Sequence, residues 1–109
     1  MARDAGFAEY ITEDVLGHIE GITKRAMFSG YGIYLKGKIV GLIIDGTFYV
    51  KINKEFIDEY KKEGCEPFEY ERPGGKIVTM PYASVPIDVL EDREKISEWI
   101  DEAYELSKK

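Results

Sequence analysis

Ile39-Val40-Gly41-Leu42-Ile43-Ile44-Asp45-Gly46-Thr47-Phe48-Tyr49-Val50-Lys51-Ile52 decides the fold. Two β-rich runs flank Asp45-Gly46, and a two-residue type I′ turn needs positive φ at both central residues, which Asp and Gly tolerate. The stretch therefore predicts an antiparallel hairpin. Its first arm, 39–44, is apolar on both faces and reads as a central strand. Its second arm, 47–52, alternates, with Phe48, Val50 and Ile52 on one face and Thr47, Tyr49 and Lys51 on the other.

Working outward toward the N-terminus, Lys36-Gly37-Lys38 predicts a further hairpin turn, preceded by strands over 32–35 and 22–28. Before these, Phe7, Ile11, Val15 and Ile19 recur every four residues, with Tyr10 and His18 alongside. That stripe predicts an amphipathic helix capped by Asp4 and ended by Gly21. Toward the C-terminus, Asn53 is placed to cap a short helix with Phe56, Ile57 and Tyr60 on its apolar side and Gly64 just past its end. Phe68 and Tyr70 alternate with Glu69 and Glu71 in a strand over 66–72, which Pro73-Gly74-Gly75 turns into a strand over 76–82. Pro81 and Pro86 suit no central strand, so 82–85 reads as a loop. Asp92 caps a final helix whose core side is Ile96, Trp99, Ile100 and Ala103. The order α-β-β-β-β-α-β-β-α, with hairpins and segregated helices, predicts an α+β domain: a two-layer sandwich of antiparallel sheet and helices.

The 109 residues, 44% hydrophobic, suffice for one core without a metal or disulfide staple, so residues 1–109 read as a single domain. A net charge of −6 opposes the phosphate backbone, and direct nucleic-acid binding is not expected, although Lys24, Arg25, Lys36, Lys38, Lys51 and Lys54 gather in the sheet half. One cysteine excludes an intrachain disulfide, and no apolar run approaches the ~20 residues that cross a bilayer. The N-terminal residues lack the apolar region of a secretory signal, and a cytoplasmic, membrane-free location is the expectation.

Arg25-Ala26-Met27-Phe28-Ser29-Gly30-Tyr31-Gly32-Ile33-Tyr34 joins a strand-like run to two glycines with aromatics on either side. The glycines permit positive φ or close backbone approach, which predicts a bulge or tight bend presenting Tyr31. The candidate binding surface is Arg25, Met27, Phe28, Gly30, Tyr31, Gly32 and Tyr34, joined by Met80 and Tyr82. Aromatics, Met and Arg are enriched at protein interfaces, so a protein partner is expected. An exposed sheet edge would also allow a homodimer.

Together with Glu66-Pro67-Phe68-Glu69-Tyr70-Glu71-Arg72 and Met80-Pro81-Tyr82 through Val85-Pro86, that segment resembles the N-terminal domain of the TfoX/Sxy family over nearly the whole chain. The resemblance implies a cytosolic prokaryotic domain related to regulators of natural competence genes, with a sandwich like that of secretion chaperones. It brings no established catalytic residue. Full-length regulators of the family add a C-terminal helical domain that this sequence lacks, and Ser29 stands where the family motif usually has glycine.

No residue set points to catalysis, a metal or a cofactor, and the expectation is a non-enzymatic domain. His18 has no Ser or Cys near it in sequence, and Cys65 lies between Glu63 and Glu66, which oppose a reactive thiolate. Ser29 lacks the nucleophile elbow of hydrolases. Glu55, Asp58, Glu59 and Glu63 read as the solvated face of a helix. The alternatives are a small-ligand-binding domain or minor enzyme with a pocket between sheet and helices, using His18 or Cys65, and a nucleic-acid-associated regulator.

Overall fold

The computed structural model describes residues 5–27 and 30–108. The expected cap at Asp4 and the candidate residues Phe28 and Ser29 lie outside them. Six antiparallel strands, β1 (Ile22–Met27), β2 (Gly30–Leu35), β3 (Lys38–Ile44), β4 (Thr47–Lys51), β5 (Pro67–Arg72) and β6 (Lys76–Ser84), form one sheet in the order β1-β2-β3-β4-β6-β5. The helices are α1 (Ala5–Glu9, running on as a π-helix over Tyr10–Val15), α2 (Ile57–Lys62), α3 (Ile87–Leu90) and α4 (Arg93–Ser107). Both tight hairpins form as expected. Lys36 and Gly37 have φ of 50° and 83°, and Asp45 and Gly46 have 49° and 72°, the left-handed pair that lets two strands twist together without splaying.

One face of the sheet supplies Ile33, Leu35, Val40, Ile43, Phe48, Val50 and Ala83 to a core closed by Ala8, Ile11, Val15 and Leu16 of the N-terminal segment, Val89 of α3, and Ile96, Trp99, Ile100 and Ala103 of α4. Asp92 caps α4 through its carboxylate, which accepts from the Lys95 amide at 3.1 Å, and α4 lies across β3 and β4. Asn53 likewise accepts from the Glu55 amide at 3.0 Å. The apolar sides of the helices therefore face the sheet, which places both layers as the sequence requires.

Three expectations change. The first helix ends at Val15, not at Gly21. Residues spaced every four drift about 40° per turn on a helix of 3.6 residues, and the wider π turn, in which the Leu16 amide donates to the Ile11 carbonyl at 2.9 Å, brings Leu16 into the core instead of continuing the stripe to Ile19. Phe56 leaves the apolar side of the second helix and is 52% exposed, because a 3₁₀ turn over Lys54–Phe56 precedes α2 and rotates it away. The segment 82–85 is not a loop, since β6 runs through Pro81 to Ser84 and pairs with β4 at Tyr82, Ala83 and Ser84.

Pro81 is tolerated because the ladder is broken there. Pro67 pairs with Ala83 and Glu69 with Thr79, so Met80, Pro81 and Tyr82 stand opposite Phe68 alone. The absent N–H of Pro81 falls within this bulge, while its carbonyl accepts from the Ile52 amide at 3.0 Å.

Gly30 and Gly32 carry no positive φ. Their role is close approach, since a Cβ on Gly30 would stand 1.9 Å from the Ile43 carbonyl oxygen. Gly30→Ala must displace backbone, and we expect a loss of about 2 kcal/mol, roughly 10 °C in Tm, measured by thermal and urea unfolding. An unchanged midpoint would contradict the contact.

Candidate functional site

The face of the sheet opposite the core is itself apolar. Leu42 and Tyr82 are buried there, 9% and 7% exposed, yet neither belongs to the core cluster. They floor a cavity of about 620 Å³ lined by Met27, Gly30, Tyr31, Leu42, Ile44, Phe68, Tyr70, Met80 and Tyr82. These residues come from β1, β2, β3, β5 and β6, and no helical residue is among them. In a flat six-stranded sheet the outer strands would stand about 24 Å apart. Residues of β1 and β5 line one cavity because the sheet curls, and the bulge opposite Phe68 supplies the bend.

The side chains are seated by their neighbours. Gly32 leaves room for the Tyr34 ring and the Met27 sulfur, which would lie 3.0 and 3.2 Å from a Cβ at that position. The Arg25 guanidinium sits 6.0 Å from the centre of the Tyr34 ring. Phe68 packs on Tyr49 at 5.0 Å and on Tyr70 at 6.4 Å between ring centres. Burial, followed by the charge of the Tyr34 phenol, raises the Tyr82 hydroxyl above its ordinary pKa. Burial, followed by the charge of Glu66, does the same at Tyr49.

Of the candidate surface residues, Met27, Gly30, Tyr31, Met80 and Tyr82 line the cavity, while Arg25, Gly32 and Tyr34 stand beside it. Phe28 lies outside the described residues. Tyr31 is half-buried and packed against the core as well as lining the cavity, so its flanking glycines do not leave it free. Leu42, Ile44, Phe68 and Tyr70 were not among the candidates. The two-sided apolarity of 39–44 and the Phe/Glu alternation of 66–72 were their signals.

The ordered motifs and this fold point to one family, and its model, the TfoX N-terminal domain, matches residues 14–107. The chain belongs to that family. No curated protein matches it.

The groups weighed for chemistry in this TfoX N-terminal domain stand apart from the cavity. His18 is exposed, in the turn after the π-helix, with Nε2 2.7 Å from Ser97 Oγ. Ser97 also reaches the Arg93 carbonyl at 2.7 Å. A hydroxyl has one proton, and the carbonyl can only accept, so that proton goes to Arg93 and the imidazole donates to Ser97. That direction is opposite to the one a general base needs, and the pair is a strut between the turn and α4. Glu63 pairs with Lys95 at 2.7 Å. Among the described residues no three acidic, His or Cys side chains converge to hold a metal.

Cys65 is buried in the core, and burial, followed by the charge of Glu63, pushes its thiol up to about 11 from 9.0. A raised folded-state pKa means the fold favours the protonated thiol; that contribution is complete below pH 9 and is lost as pH climbs through about 11. Tyr49, Tyr60 and Tyr82, raised from 10.0 chiefly by burial, act in the same direction above pH 10. The urea midpoint is expected to fall between pH 9 and 11, with Cys65→Ala flattening the first part of the fall. Iodoacetamide at pH 8 is expected to label Cys65 only after unfolding.

Proposed function

We propose that this domain is a non-enzymatic regulatory module that binds a protein partner through the concave face of its sheet. The observation that carries the reading is the convergence of Met27, Phe68, Tyr70, Met80 and Tyr82 on a cavity that, among the described residues, no helix lines. Aromatic side chains present large contact area, Met side chains adapt their shape to a partner, and Arg25 adds a planar donor at the margin. The likeness to regulators of competence genes supports a regulatory role carried out in the cytoplasm. A second reading, a small-ligand domain, is supported by the cavity volume, which falls within the ~300–1,000 Å³ typical of small-molecule sites. In that reading the site is the strand-lined cavity, not a pocket between sheet and helices, and His18 and Cys65 have no part in it.

Tyr70 is the residue to change, because it lines the cavity while remaining 44% exposed. Tyr31→Ala would remove core packing and confuse binding with stability. Tyr70→Asp is expected to keep Tm within a few degrees and to lose any protein retained by the wild type in nuclease-treated pull-downs quantified by mass spectrometry. Equal retention by both proteins would refute the surface.

A further inference from the structure

The cavity is apolar within and cationic at one margin. Arg25 pairs with Gly32 across β1 and β2, and Lys51 pairs with Tyr82 across β4 and β6. Directly opposed residues of an antiparallel pair project to the same face. Arg25 shares its face with Met27, two residues along β1, and Lys51 shares its face with Tyr82, and both Met27 and Tyr82 line the cavity. Tyr34 stands beside Arg25 on β2, its ring centre 6.0 Å from the guanidinium, and Tyr82 stands opposite Lys51 on β6. Among the described residues neither Arg25 nor Lys51 makes an ion pair; the ion pairs are Lys95 with Glu63 and Lys108 with Glu105. This arrangement stands out in a chain of net charge −6.

Two cations without an ion pair among the described residues, with two phenolic donors, at the edge of an apolar cavity complement one chemical class. A carboxylate accepts up to four hydrogen bonds, and a guanidinium matches it with two parallel donors. The rest of the ligand must be apolar to fill Met27, Leu42, Ile44, Phe68 and Met80 without stranding a polar group. Resting on the small-ligand reading, we propose that the cavity binds an amphipathic organic carboxylate, with its hydrocarbon body inside and its anionic head against Arg25, Lys51 and the hydroxyls of Tyr34 and Tyr82. An alkyl ammonium of the same length is rejected by the two cations, and the neutral alcohol binds through the hydrocarbon part alone.

The test uses dodecanoate, dodecan-1-ol and dodecyltrimethylammonium, the ions below their micelle-forming concentrations and the alcohol below its solubility limit. Binding is followed by calorimetry and by the NMR shifts of the Met27 and Met80 methyl groups. Dodecanoate is expected to bind about tenfold more tightly than the alcohol, with the ammonium weakest. Arg25→Gln with Lys51→Gln should erase the preference for dodecanoate and leave alcohol binding unchanged. Arg25 is exposed, so the single variant serves if the pair compromises folding. Equal affinity for all three compounds would overturn anion selection while leaving the cavity as a small-ligand site. Unmoved methyls with all three would overturn both. Unmoved methyls in a chain that sediments as a dimer would assign the face to a second copy, again overturning the proposal.

Discussion

Two extra residues in β6, opposite Phe68, set the shape on which the rest of the molecule depends. A sheet with helices on one side must do something with apolar residues on the other. Here Met80, Pro81 and Tyr82 stand against a single residue of β5, and the hairpin bends toward the uncovered face. Pro81 is suited to that position because a break in the ladder asks for no amide donor. Upstream of the break β6 pairs with β5 alone; beyond it Tyr82 to Ser84 pair with β4. The strand thus belongs to the main sheet at one end and to an overhanging hairpin at the other.

The two faces of the sheet have different consequences. On the helical face the apolar side chains meet α1, α3 and α4 and are closed from water, with Cys65 held among them as a protonated thiol. On the other face, among the described residues, the strands meet only one another across a concavity. Leu42 and Tyr82 are buried, whereas Tyr70 keeps 44% of its surface accessible. A large apolar concavity with exposed aromatic margins is a surface arranged for contact. Gly30 and Gly32 contribute by their missing Cβ atoms, one admitting the β3 backbone and the other the Tyr34 ring and the Met27 side chain. The aromatic-flanked motif therefore works largely through what its glycines omit.

The hairpins and caps were legible because they depend on local chemistry. Asp45-Gly46 adopts the left-handed pair a tight hairpin needs, Asp92 caps α4 as expected, and Asn53 caps the 3₁₀ turn that leads into α2. The end of the first helix was not legible, since a four-residue repeat does not reveal that the helix will widen and bury Leu16. Pro81 argued locally against a strand, and the bulge that accommodates it arises from pairing with residues more than ten positions away. The same distance hid half of the cavity. Met27, Gly30, Tyr31, Met80 and Tyr82 could be named from their motifs, but Leu42, Ile44, Phe68 and Tyr70 join them only once the sheet curls.

That curl can be tested by letting xenon occupy the cavity while the methyl resonances of the free protein are recorded, because xenon enters apolar cavities. The account predicts that the Met27, Leu42, Ile44 and Met80 methyls shift together along one saturation curve, while those of Ile33, Val50 and Ile100 in the core stay in place. Separate curves for Met27 and Met80, or no shift at either, would mean that the two edges of the sheet do not share a cavity and would contradict the account.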